Sequence, residues 1–130
     1  MRSRILFVSG HSQDAPRISE MLHSLPVLVD HADSLRRARI LLHQREYDVI
    51  FSAATLPDGN WLDALHLARE LPREVQVVVT DPQADARFWS EALNLGAYDL
   101  VSQPFYEPEV RRILYNACTH VGDSLPAAVL

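Results

Sequence analysis

Five short apolar runs, each followed by a stretch with helical spacing, constrain this chain more than any other feature of its sequence. The runs are residues 4–9 (RILFVS), 27–30 (VLVD), 48–53 (DVIFSA), 75–80 (VQVVVT) and 98–101 (YDLV). They are nearly continuous in apolar residues instead of alternating, as expected of strands covered on both faces. Between the first two, Ile18, Met21, Leu22 and Leu25 recur at i, i+3, i+4 and i+7, with Asp14 as the predicted cap and Pro16 in the first turn. Ser34 is the predicted cap of a second helix whose Leu35, Ala38, Leu41 and Leu42 share a face. A third helix begins near Asn60 with Leu62, Leu65 and Ala68. A fourth carries Phe88, Ala92 and Leu95 and stops at Gly96. The last starts at Pro108 and repeats Val110, Ile113, Leu114 and Ala117.

Five such βα units imply a parallel sheet wound on both sides, a flavodoxin-like (βα)5 α/β fold. Right-handed crossovers leave few topologies, and 2-1-3-4-5 is the expected strand order. One domain over residues 1–120 accounts for the pattern. Residues 121–130 (VGDSLPAAVL) read as a flexible tail or the start of a linker. The net charge of −5 gives no electrostatic basis for binding nucleic acid or an anionic membrane. No apolar run approaches the ~18 residues that span a bilayer, and the opening MRSRILFVSG reads as a strand, not a signal peptide. The single cysteine, Cys118, points to a reducing, cytoplasmic setting and is read as packed, not reactive. The six histidines show no metal-ligand spacing and are read as solvated helix and loop residues.

The third run raises the functional question. In DVIFSAATLPDGNW, residues 48–61, a buried strand runs into a turn at Pro57, Asp58 and Gly59. The carboxyl ends of strands in an open α/β sheet are where ligands and reactive groups gather. Here the strand ends in Ser52, Ala53 and Ala54, which carry no ionisable group.

The stretches YDVIFSAATLPDGNWLDAL, VVVTD and LGAYDLVSQPF, in this order, resemble the receiver domain of bacterial response regulators, and the similarity spans residues 4–118. The resemblance implies the same fold and a role in two-component (phosphorelay) signalling. It places the family's Mg²⁺-holding acidic pair on Ser9 and Gly10, and the phosphoacceptor aspartate, four residues before the proline of the LPDG loop, on Ala53. The family's hydroxyl residue is kept as Thr80, its lysine is replaced by Gln103, and its reorienting aromatic falls on Leu100. A methyl group cannot be a phosphoryl acceptor, and the matched positions offer Mg²⁺ no carboxylate. Without that cation the charge of a transferring phosphoryl group goes largely unneutralised. The resemblance with these departures implies a pseudo-receiver: an inert pocket without metal or cofactor, on a stable scaffold, acting through protein–protein contact and not as an enzyme.

A few other residues are candidates for chemistry. Asp81 follows Thr80 and is a displaced carboxylate that a rival phosphorelay reading would use. The plainer reading is a solvated loop acid that caps the next helix, because one carboxylate from another strand does not rebuild in-line geometry. Asp58 reads as a turn former, and the rival reading would use it too. Asp48 opens its strand at the far end. Ser9, Ser52 and Thr80 lack a nucleophile elbow, with only His11 nearby as a base. A third reading puts a small molecule in the vacated switch point, against Ser9, Gly10, His11, Thr80 and Gln103. In receivers the surface of helix 4, strand 5 and helix 5 is the usual partner or homodimer face. The resemblance puts Arg87, Trp89, Glu91, Asp99, Arg111, Arg112 and Tyr115 there, together with Tyr98, Leu100 and Val101 of the strand. Tyr, Trp and Arg are common interface anchors, and ordinary solvated helix faces fit the same residues.

Overall fold

The computed structural model describes residues 2–120. Strand β1 (Ser3–Val8) pairs in parallel with β2 (Val27–Ala32) on one side and β3 (Val49–Ala53) on the other. After β3 the chain folds back in a small antiparallel ribbon, β4 (Thr55–Leu56) and β5 (Gly59–Asn60), around Pro57 and Asp58. β6 (Gln76–Asp81) then pairs with β3, and β7 (Asp99–Ser102) with β6, again in parallel. The main sheet runs β2-β1-β3-β6-β7. With the ribbon set aside, this is the expected 2-1-3-4-5 order, and the flavodoxin-like fold read from the sequence stands.

Alternate residues of each central strand feed two separate cores, which is why the strand sequences are apolar throughout. Ile5, Phe7, Val49, Phe51 and Val78 pack with Ile18 of α1 (Asp14–Met21) and with Val110, Ile113 and Leu114 of α5 (Glu107–His120). Leu6, Val8, Ile50, Val77 and Val79 face the other side. There they meet Ala38 and Leu42 of α2 (Leu35–Gln44), Ala64 and Leu65 of α3 (Trp61–Arg69), and Ala92 of α4 (Ala86–Leu95). Burying each large apolar side chain contributes about 1.5–3 kcal/mol. No helix among the described residues is long and apolar enough to cross a membrane.

Several local expectations need correction. Asp14 is the first residue of α1, whose N-cap is Gln13 without a side-chain bond. β2 extends two residues past Asp30, through His31 and Ala32. In α3 it is Trp61 that turns inward, while Leu62 is 38% exposed; in α4, Leu95 is 43% exposed. The predicted caps Ser34 and Gly96 are in place. Ser34 Oγ accepts the Arg37 N–H at 3.1 Å, and Gly96 ends α4 with φ of 115°. The tail read at residues 121–130 lies outside the described residues.

Candidate functional site

β1, β3 and β6 end side by side, and their register puts Ala53 opposite Thr80 and Thr80 opposite Val101. Just past β1 come Ser9 and Gly10, and just past β7 comes Gln103. Together these ends border a hollow of about 380 Å³, lined by Ser9, His11, Ala53, Thr80, Asp81 and Gln103 among others. The sequence reading thus named residues that the fold does bring together. Gly10 is absent from the lining. A β-carbon there would come to 3.1 and 3.2 Å from the Pro57 ring, so the loop after β3 has closed over the space a side chain would need.

The polar groups of the hollow are largely occupied with each other. Thr80, 1% exposed, donates its hydroxyl to the Val101 carbonyl at 2.7 Å and accepts Gln103 Nε2 at 3.1 Å. The Gln103–Pro104 peptide bond is cis. Ser9 Oγ accepts the His11 backbone N–H at 3.1 Å. The Ser9 carbonyl accepts from His31 Nε2 at 2.9 Å, which fixes the proton on that nitrogen. His31, expected to be solvated, is instead half-buried on β2 with its ring 5.8 Å from that of Phe7. The sequence signal for it was position: directly after the run at 27–30 on an edge strand, where a polar side chain can reach a neighbouring chain end. Ser52 is buried and donates to the Ala53 carbonyl at 2.9 Å, which removes it as a nucleophile.

The displaced carboxylates fare differently. Asp58 does not line the hollow. It accepts the Leu35 and Arg36 N–H groups at 2.9 and 3.0 Å, at the start of α2. The Leu35 bond, against some desolvation and joined by the Arg36 bond, holds its carboxyl below the ordinary range. Asp81 does line the hollow, with Oδ2 accepting the Gln83 N–H at 3.0 Å. It does not cap the next helix, because Asp85 takes the Phe88 N–H at 2.8 Å. Asp48 sits at the opposite end of the sheet, bound to the Arg4 N–H at 2.9 Å and to Arg73 at 2.8 Å.

At the family's positions this arrangement offers magnesium no carboxylate, and Asp14 and Asp81, which do line the hollow, join no third His, Cys, Asp or Glu placed to hold a metal among the described residues. Magnesium requires several oxygen ligands in near-octahedral geometry, usually including one or two carboxylates. Ser9 and Gly10 bring none, and Ala53 ends β3 in a methyl group. Nor can a lysine from elsewhere replace Gln103: all 12 basic residues of the chain are arginines.

On the far side, Leu100 is buried in the α2–α3–α4 core. Trp89, 47% exposed, donates its indole N–H to Asp99 at 2.9 Å, tying α4 to β7. The same Asp99 oxygen accepts the Leu100 N–H at 2.7 Å. Arg87, Glu91, Arg112 and Tyr115 are exposed on α4 and α5. Arg111 is misplaced in the sequence reading: its guanidinium donates to the Met21 carbonyl at 2.9 Å and so bridges α5 to α1. Its helical position gave no hint of a partner 90 residues away.

Sheet order and hollow define a doubly wound α/β domain whose ligand position lies at the switch point beside β1 and β3. The response regulator receiver domain family matches residues 4–115, and the chain belongs to that family. It is 27% identical over 125 residues to the "Probable transcriptional regulatory protein SilR" of Salmonella typhimurium, covering 93% of this chain and 55% of that protein. The chain therefore spans about half the length of that curated relative. A signal receiver domain from Vibrio parahaemolyticus superposes with a TM-score of 0.85 at 17% identity, covering 99% of this chain and 98% of the other. The signal receiver domain of an HD domain-containing protein from Pseudomonas fluorescens Pf-5 gives 0.82 at 25% identity, covering 96% and 93%.

Proposed function

We propose that this receiver domain works without phosphorylation at the family's usual position, as a pseudo-receiver that acts by protein contact in two-component signalling. The carrying observation is the hollow itself. β3 ends in Ala53, the space beside Gly10 is filled by Pro57, and Gln103 is hydrogen-bonded to Thr80. A transferring phosphoryl group needs an acceptor and concentrated positive charge, and these residues supply neither. Leu100, packed in the core, offers no aromatic ring to reorient. The domain then holds one conformation unless a partner favours another. It has no catalytic residues, and a cytoplasmic setting suits this role.

The face that supports contact is the one around Trp89, where Arg87, Glu91, Arg112 and Tyr115 are also exposed. Asp99, already bound to Trp89, serves better to orient that ring than to pair with a second chain in a homodimer.

Intact-mass measurement after incubation with acetyl phosphate and Mg²⁺ tests the reading. An unchanged mass is expected, as is unchanged fluorescence of Trp61 on adding beryllofluoride to Trp89→Phe protein. Trp61 is a suitable reporter because its backbone N–H donates to the carbonyl of Ala54, a lining residue of the hollow, at 3.0 Å. An acid-labile gain of one phosphoryl group, at Asp81 or elsewhere, would overturn the proposal and favour a displaced acceptor.

A further inference from the structure

Helix α2 has a charge pattern that nothing in the hollow uses. Residues 34–45 hold four arginines, Arg36, Arg37, Arg39 and Arg45, and no carboxylate, in a chain whose net charge is −5. Arg39 pairs with Glu70 of α3 at 3.6 Å, and Arg45 with Asp30 of β2 at 3.3 Å. Arg36 and Arg37 are exposed and belong to no ion pair among the described residues. Asp58 and Asp63 share the groove between α2 and α3 with Arg36, but not with Arg37. Both acids are engaged there with backbone N–H groups, Asp58 with those of Leu35 and Arg36, Asp63 with that of Asn60. Asp33 precedes the helix cap and pairs with neither arginine.

Ile40 stands in the middle of this face, 39% exposed. Helical spacing puts Arg36 and Arg37 one turn before it and His43 and Gln44 one turn after it, and all four are exposed. Ala38 and Leu42 hold the opposite side of the helix against the core. A lone exposed isoleucine is ordinary. One bordered by two unpaired guanidinium groups has a specific complement, an apolar side chain between carboxylates. α2 packs on β1, β2 and α3, whereas α3 packs on β3 and β6, and α4 on β7. α3 therefore lies between this face and the one around Trp89.

We infer that the outer face of α2 docks an acidic segment of a partner protein that carries an apolar residue between its carboxylates. The carboxylates meet Arg36 and Arg37, whose planar forks suit them, and the apolar side chain covers Ile40. A nucleic acid is a poorer fit, because a long polyanion would run past Asp33, Asp58, Asp63 and Glu70 and gain nothing from Ile40. A symmetric pairing of two such faces would set arginine against arginine. The inference gives protein contact a second surface and holds whether or not the hollow accepts a phosphoryl group.

The test uses a fluorescently labelled Glu-Glu-Leu repeat peptide and its neutral Gln-Gln-Leu counterpart, titrated with the chain and followed by anisotropy. The acidic peptide should bind saturably and on the order of ten-fold more tightly, with the difference shrinking as added salt screens the charges. Replacing both arginines, Arg36→Gln with Arg37→Gln, should remove most of that preference. Ile40→Ser should weaken both peptides alike, and Arg2→Gln, an exposed arginine outside α2, should change neither. In the isotope-labelled chain the backbone resonances of residues 36–44 should shift most. Equal binding of the two peptides, an undiminished preference in the double variant, or shifts centred on α4 and β7 would each overturn the inference. So would tighter binding of a single-stranded oligonucleotide, or self-association of the chain that the double variant abolishes.

Discussion

At Asp30, on the outer strand, three side-chain donors converge on one carboxylate oxygen: Tyr47 Oη at 2.7 Å, Arg4 at 3.1 Å and Arg45 at 3.3 Å. Partial burial alone would raise its pKa, but the Tyr47 and Arg4 hydrogen bonds and the two arginine charges outweigh that and lower it. Because the folded value lies below the unfolded one, near ~3.9, the stabilisation is complete above that value. It is lost as pH falls through the folded value. Asp30→Asn should therefore cost about 1–3 kcal/mol at neutral pH, with the gap to the unaltered chain closing in acid. Urea unfolding at the two pH values checks this, and equal stabilities at neutral pH would show that the cluster contributes nothing. At Ala53 the expectation is negative. Ala53→Asp restores one carboxylate but not the acidic pair or the lysine, so its intact mass should still be unchanged after acetyl phosphate and Mg²⁺. Adding Gly10→Asp brings its own cost, because Pro57 must move aside.

Helix ends carry the clearest local signals. α3 opens with a full capping box, in which Asn60 Oδ1 accepts the Asp63 N–H at 3.4 Å and Asp63 accepts the Asn60 N–H at 3.0 Å, with the Leu62 N–H also bound to Asn60 Oδ1 at 2.9 Å. α4 closes at Gly96, whose φ of 115° suits glycine alone, and a β-carbon there would come to 2.6 Å from Arg69 Nη2. That same nitrogen donates to the Leu95 carbonyl at 2.7 Å. Gly96→Ala should thus both strain the backbone and push away a capping arginine. The expected cost is about 1–2 kcal/mol, read from a lower urea midpoint at unchanged slope. Caps like Ser34 and Gly96 were legible because one residue type meets a local need. Leu62 was misread because periodicity reports which residues share a face, not how far that face is covered. Trp61, one position earlier, takes the inward place. β2 was read short because Asp30 and His31 look like a strand end, yet Arg4, Arg45, Tyr47 and the Ser9 carbonyl satisfy them. Of the hollow's members, Ser9, Ala53, Thr80 and Gln103 were legible as chain ends of a known topology, whereas Gly10 lies outside the lining and Asp14, read as a helix cap, lies in it. The bonding inside the hollow, such as Gln103 to Thr80, was not legible, because it joins residues 23 apart through side chains.

Across the whole molecule, two cores share one sheet, so the strands couple α1 and α5 to the helices on the other face. Cys118 offers a way to measure that coupling. It is 5% exposed in the α1–α5 core. Burial, then the nearby Asp48 charge, against a weaker opposing hydrogen bond from Ser3, push its thiol up to about 12. The unfolded thiol ionises at a much lower pH, near ~8.5. Its contribution to stability is therefore intact below that value and declines as pH rises toward the folded one. In mild alkali, at about pH 8, the native thiol should be almost inert to a disulfide reagent and should label only when the chain opens. If opening means global unfolding, Gly96→Ala on the opposite face should speed labelling by the factor its stability loss predicts, ten-fold for each ~1.4 kcal/mol. Urea should raise the labelling rate with the slope of the equilibrium transition. A labelling rate indifferent to Gly96→Ala would mean that α5 detaches by itself, and the two cores would then be energetically separate despite their common sheet.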